Sequence, residues 1–191
     1  VHQIGAARFA EQVEAEFARI RGPFYRLDPV LVDAIRAHFA PPPFETLPAV
    51  CEAYEDARRR DPAFAAWAAA SVRSHKAPGY AGVTLSLKPV GGVPGDITAD
   101  QMDAVADLAD RHSFGEIRVT HEQNLVLAHV RQDELHALWQ GLVAADLASP
   151  NVGLVTDIIA CPGLDYCALA NARSIPVAQE ISRRFADLDR Q

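Results

Sequence analysis

Methionine is almost absent from this chain, cysteine is scarce, and no apolar run is long. The 191 residues begin with Val1 and hold one methionine, Met102. A sequence of that form reads as a cleaved product, a cloned segment or a sequence whose start is missing. The three cysteines are an odd count and too few for a disulfide framework, so a reducing, cytoplasmic setting is expected. No segment approaches the roughly 20 continuous apolar residues of a membrane helix, and none has the pattern of a signal peptide. A membrane role is therefore not expected. Cationic charge is short as well: 18 Lys and Arg stand against 25 Asp and Glu, a net charge of -7. With no basic stripe interleaved with aromatics, nucleic acid is not expected as a partner.

What is present is the balance of an ordinary globular protein, 49% apolar and 23% charged, long enough to bury a real core. Residues 5–21 have the helical spacing Phe9, Val13, Phe17, Ile20. A second helix is predicted from Asp28 to Phe39, with Asp28 as N-cap and Pro29 at the first helical position. It ends before three consecutive prolines, Pro41 to Pro43, which force an extended connector. Residues 61–74 read as a third helix, again opened by Asp-Pro, and His75 to Tyr80 as a linker.

The middle of the chain has the clearest periodicity. Residues 82–88 alternate Val83, Leu85 and Leu87 against Thr84, Ser86 and Lys88, the pattern of a strand with one apolar face. A capping box, Thr98 with Gln101, opens a helix with the stripe Met102, Val105, Ala106, Ala109. Residues 116–120 and 125–130 read as two strands joined by a turn at residues 121–124, and 133–143 as a helix presenting Leu135, Leu138, Trp139 and Leu142. The order β-α-β-β-α over residues 81–145 predicts an α+β fold, a largely antiparallel sheet with two helices on one face. Its core should contain Val83, Leu85, Leu87, Met102, Val105, Ile117, Val119, Leu135, Leu138 and Trp139. The other face, with Thr84, Ser86, Lys88, Arg118 and Thr120, is too polar for a core and is expected to be free to meet a partner. After Pro150 a new unit begins. Residues 152–160 are a strand candidate, and a helix with an irregular start near Pro176 occupies residues 167–189, its last residues supplying no C-cap.

Between these last two elements stand Cys161 and Cys167, with Pro162 and Gly163 in the intervening loop. Thiolates at close spacing suit zinc or an iron–sulfur cluster, but a closed site takes four ligands and only two are here. Cys51 lies far away in a helical region. On spacing alone, two small buried cysteines explain the pair equally well. Gln123 and Asn124 are ordinary turn residues by the same standard, His121 an exposed turn histidine, Arg118 an exposed strand residue, and Lys76 and Lys88 solvated charges. His75, His112, His129 and His136 have no partner at metal-ligand spacing. The glycines of residues 91–95 match neither phosphate-binding motif.

Taken together, the stretch "RVTHEQNLVL" and the later "CPGLDYCALANARSIP" resemble the siroheme-dependent nitrite and sulfite reductases. The stretches "AHFAPPPFETLP" and "HKAPGYAGVTLSLKPVGGVPGD" are similar to bacterial members. The resemblance implies a ferredoxin-like half-domain, the second of two. It divides the chain into a helical segment with a Pro-rich connector, 1–74, the half-domain, 75–150, and the truncated start of a siroheme and [4Fe–4S] domain, 151–191. It implies Cys161 and Cys167 as two cluster ligands, completed by a C-x3-C pair that residues 168–191 do not contain. It implies that Arg118, Thr120, Gln123 and Asn124 lie against the siroheme, whose many carboxylates call for cationic and amide donors. The family reduces sulfite to sulfide or nitrite to ammonia with six electrons from a ferredoxin or a flavoprotein. Its catalytic anion-binding residues lie mostly outside this chain and none is assigned here. The isolated chain, without the rest of the polypeptide, is expected to hold neither cofactor and to be inactive. A non-enzymatic ferredoxin-like binding module is the alternative, and a zinc module completed by another chain a third reading.

Overall fold

The computed structural model describes residues 3–22 and 27–188. The chain divides into two compact units, residues 1–43 and 44–191. The division falls at the proline connector. In the first unit, α1 (Ala6–Ile20) and α2 (Pro29–His38) form as their spacing predicts, and Asp28 caps α2 by accepting from the Val30 N–H. Neither helix buries a residue.

The second unit is built on a four-stranded antiparallel sheet in the order β1-β2-β4-β3. The strands are β1 (Val72–Ser74), β2 (Tyr80–Leu85), β3 (Ile117–Val119) and β4 (Leu125–Arg131). Helices α3 (Glu52–Arg60), α4 (Pro62–Ser71), α5 (Ala99–His112) and α6 (Leu135–Ala144) surround one core with it. Asp61 caps α4 through the Ala63 and Phe64 N–H groups, and the capping box of α5 is formed from both sides. Phe64, Trp67, Val83, Leu85, Val105, Leu127, Val130, Leu135, Leu138 and Leu142 are almost wholly removed from water. Each large side chain among them contributes about 1.5–3 kcal/mol of burial.

Several expectations are corrected. The helix predicted over residues 61–74 ends at Ser71, and Val72–Ser74 is instead the edge strand β1. Val72 is β-branched, and the open edge of β2 offers its residues a ladder that a helix end does not. Met102 is exposed and Leu108 takes its place in the core, so the buried face of α5 is turned from the stripe read in the sequence. Ile117 and Val119 are exposed because β3 is the outer strand. Trp139 is partly buried against the core. The strand expected to run to Lys88 ends at Leu85. Ser86 and Lys88 are buried rather than solvated. The expected polar face is thus not wholly free, and a binding module docking through it loses two of its residues.

Beyond residue 150 no strand forms among the described residues. Residues 152–160 run as turns and irregular backbone. The last helix, α7, spans only Ile175–Phe185, and residues 167–174 are loop. It folds back on its own unit: Ser182 Oγ accepts from the Gly91 N–H at 2.9 Å, and Gln179 Nε2 donates to the Gly91 carbonyl at 3.1 Å. Ile175 is buried there, whereas Val177, Ile181 and Phe185 stay exposed. Asp189 to Gln191, the expected uncapped end, lie outside the described residues. No helix among the described residues is long and apolar enough to cross a membrane.

Candidate functional site

The β3–β4 hairpin is closed by His121, Glu122 and Gln123. The Thr120 N–H donates to the Asn124 carbonyl at 2.9 Å, and the Asn124 N–H to Thr120 Oγ1 at 3.1 Å. Gln123 sits in the left-handed region, φ 59°. This is the geometry of a three-residue hairpin loop, in which glycine usually takes that position. A glutamine there is strained, and its side chain shows what offsets the strain. Its amide nitrogen donates to the Ala160 carbonyl at 2.9 Å, and its amide oxygen accepts from the Ala160 N–H at 3.1 Å. One side chain thus pairs with both backbone groups of the residue before Cys161, as a neighbouring strand would.

Asn124 is buried. Its Oδ1 accepts from the Leu87 N–H at 3.1 Å, which replaces the ladder bond that β2 no longer makes, and its Nδ2 donates to Asp157 Oδ1 at 3.2 Å. Lys88 Nζ lies 2.6 Å from the same carboxylate oxygen and also donates to the Glu122 carbonyl. The Gly153 N–H donates to the other oxygen, Oδ2, at 2.7 Å. Asn151 Nδ2 donates to the Lys88 carbonyl at 2.9 Å. Burial alone would raise the Asp157 pKa. The Lys88 ammonium and the Gly153 and Asn124 donors outweigh it and hold the carboxyl below its ordinary range.

The cysteine loop continues from this clasp. Gly163 has φ +61°, and a Cβ on it would lie 2.6 Å from the Ala172 carbonyl oxygen and 2.8 Å from Ser174 Oγ, so only glycine fits. The Leu164 N–H donates to the Ala172 carbonyl at 3.0 Å, the Cys167 N–H to the Gly163 carbonyl at 2.8 Å, and Ser174 Oγ to the Cys161 carbonyl at 2.6 Å. Both cysteines are free thiols on one closed loop, Cys161 exposed and Cys167 half-buried. No group of three or more His, Cys, Asp or Glu able to hold a metal occurs among the described residues. Cys161 and Cys167 are two soft donors of the kind that zinc and iron–sulfur sites use.

The model of the nitrite/sulfite reductase ferredoxin-like half domain matches residues 76–145. Those residues are a half-domain of that family. They hold β2, β3 and β4 of the sheet with α5 and α6, and they carry the hairpin. The chain is similar to chloroplastic ferredoxin–nitrite reductase of Betula pendula, 35% identical over 97 residues, covering 48% of this chain and 17% of the relative. It is similar to sulfite reductase (ferredoxin) 2 of Mycolicibacterium paratuberculosis, 36% identical over 111 residues, covering 56% of this chain and 20% of the relative. The Zea mays ferredoxin–nitrite reductase is 37% identical over 98 residues, covering 48% and 17%. The chain spans at most a fifth of the length of these relatives.

Within the half-domain the expected site residues separate. Arg118 is exposed, 2.5 Å from Glu116 Oε1. Thr120, Gln123 and Asn124 are spent on the hairpin and the clasp, their amides taken by protein partners. Lys88 and Asp157 were not found by sequence reasoning. Lys88 continues the alternation of a solvated strand face, and nothing local marks it as buried.

A second cluster was also missed. The Ala77 N–H donates to His75 Nδ1 at 2.9 Å, which leaves the proton of neutral His75 on Nε2. That nitrogen lies 3.1 Å from His129 Nδ1, and His129 Nε2 lies 3.2 Å from Glu116 Oε2. The donors therefore run in one direction, from Ala77 through both rings to Glu116. Phe44 packs edge-on against both imidazoles, its ring centroid 5.3 Å from each. Burial lowers the His129 pKa, the Arg118 guanidinium adds to this, and Glu116 opposes it. Only the antiparallel register of β3 and β4 with the 75–80 linker brings these residues together.

Proposed function

We propose that this chain is the second ferredoxin-like half-domain, with the start of the cofactor domain, of a siroheme-dependent reductase of sulfite or nitrite. The observation that carries the reading is the contact between its two motifs. Gln123 of the hairpin motif holds the backbone of Ala160, which leads into Cys161, so two sequence signals far apart in the chain are one connected piece. Cys161 and Cys167 would supply two of the four thiolates of a [4Fe–4S] cluster. Arg118 would offer its guanidinium to siroheme carboxylates, with Thr120, Gln123 and Asn124 framing that wall.

When bound, the paired cofactors supply the six electrons of the reduction, received from a ferredoxin, as the relatives' names suggest, or from a flavoprotein. The residues of this chain bind and orient. The rest of the same polypeptide would provide the other half of the pocket, so the isolated chain is expected to bind no siroheme and to be inactive.

The reading is tested by extending the polypeptide through the expected C-x3-C pair and reconstituting it anaerobically with iron and sulfide. The extended protein should gain a [4Fe–4S] electron paramagnetic resonance signal on reduction, and Cys161→Ser and Cys167→Ser should each abolish it. A cluster retained in both serine variants would overturn the assignment, as would four irons bound per monomer of the 191-residue chain.

A further inference from the structure

We infer that Lys88 and Asp157, acting through Asn124 and Gln123, are positioning residues for the Cys161 thiolate. The inference rests on the reading of Cys161 as a cluster ligand. It adds two residues that neither motif contains and changes the role of two that one motif does.

Lys88 is almost fully buried, 2% exposed. A buried ammonium is costly unless it is paired, and replacing a buried ion pair by apolar groups of similar volume is often neutral for stability or better. Stability alone is thus a weak reason for Lys88 and Asp157 to be where they are. What the pair does that two leucines could not is fix relative position. Its members and their partners come from three separate stretches: Lys88 after β2, Glu122 and Asn124 in the hairpin, and Asp157 in a segment without strand or α-helix. Every oxygen of Asp157 is used, Oδ1 by Lys88 and Asn124 and Oδ2 by the Gly153 N–H. The irregular segment is thereby pinned to the rigid sheet at one point.

Three residues on, the amide of Gln123 pins it again by both backbone groups of Ala160. The backbone of Cys161 is then held on its far side, where Ser174 Oγ donates to its carbonyl at 2.6 Å. The Cys161 side chain itself stays exposed. Its main chain is set before any metal arrives, and only rotation of the thiol remains. A ligand held in this way by surrounding hydrogen bonds loses less freedom on binding and keeps its geometry afterwards.

The test pairs two measurements on Gln123→Ala, at a half-exposed position where folding should survive, and on Lys88→Met. In the 191-residue chain, amide hydrogen exchange is followed at Ala160 and at Leu127 in the sheet. Exchange at Ala160 should quicken about ten-fold or more with Leu127 unchanged in Gln123→Ala, the size expected for one lost hydrogen-bonded contact. In the reconstituted full-length polypeptide, loss of the cluster's visible absorbance to a chelator should quicken by a similar factor, and Gln123→Glu, which keeps one acceptor, should fall between. Lys88→Met should show the same pattern.

If Ala160 exchanges no faster in either variant, the clasp does not hold this segment and the inference fails. If Ala160 loosens while chelation is unaltered, and Cys161→Ser still abolishes the cluster, the positioning role fails and the cluster reading stands. If Cys161→Ser keeps its cluster, the cluster reading fails, and the positioning role with it.

Discussion

The layer formed by the sheet and α3 to α6 and the segment that follows it, residues 148–174, are held by different physics. The layer is held by burial. Its connected core of buried apolar side chains runs from Ala57 to Leu147 and includes no residue beyond. The segment has a single short 3-10 turn, Gly163–Asp165, and no strand or α-helix. It is held by side-chain donors and acceptors: Lys88, Gln123, Asn124, Asn151, Asp157 and Ser174. Burial tolerates small displacements, because apolar contacts have little direction. Hydrogen bonds fix angle and distance, and each is worth only about 1 kcal/mol net. The first device suits a scaffold, and the second suits a loop whose residues must arrive at one place.

The comparison can be broken most forcefully in the layer. Phe64→Ala, at a fully buried position, should cost about 3–5 kcal/mol, read as a fall in the urea midpoint, with the whole second unit unfolding together. Asn124→Ala should cost less, about 1–3 kcal/mol, because the Leu87 N–H loses its acceptor and Asp157 Oδ1 loses one of its donors. Its mark should be local: limited proteolysis should cut within residues 152–160 while the sheet stays intact. Cleavage in the sheet instead would show that the two regions are not separable.

Acid sharpens the contrast by acting first on neither core. Burial holds the folded pKa of His129 below the ordinary histidine value of 6.5. The unfolded chain therefore binds the extra proton first, and the stability His129 contributes is complete above 6.5 and is lost as pH falls from there through the folded value. The Asp157 carboxyl is held below the ordinary aspartate value of 3.8 by the donors around it. Its contribution persists above that value and is lost only as pH falls further, through its folded pKa. Thermal melts across this range should show two steps, with His129→Gln removing the upper one and Asp157→Asn the lower. The smallest effect is expected at the edge of the sheet, where Val119→Thr, 81% exposed, should change stability by no more than about 0.5 kcal/mol in the same denaturation assay.

How far the sequence could be read follows the same line. Most elements of the layer were legible, α3 and β1 excepted, since alternation at Val83 and Leu85, the Thr98–Gln101 box and the Asp61 cap are local signals with local causes. Met102 and the pair Ile117 and Val119 were misplaced because the apolar pattern says which residues can be buried and not which strand lies at the edge. The segment was illegible in a deeper way. Residues 152–160 are apolar enough to look like a strand, but the partner that satisfies Ala160 is a side chain 37 positions away. The resemblance located the cysteines and the hairpin motif, while the burial of Lys88 and its pairing with Asp157 depend on a tertiary contact that no spacing announces.

The file of donors from Ala77 to Glu116 has a consequence of number. Two rings in a row, closed at one end by an N–H and at the other by a carboxylate, have places for two protons and no more. A third must put two hydrogens face to face at one junction, whether between the rings or at Ala77. Turning one ring over only moves the fault along the row. The row thus has one sense, each ring donating toward Glu116. Because Phe44 leans on both rings, turning either ring over disturbs its edge-on packing as well as the row.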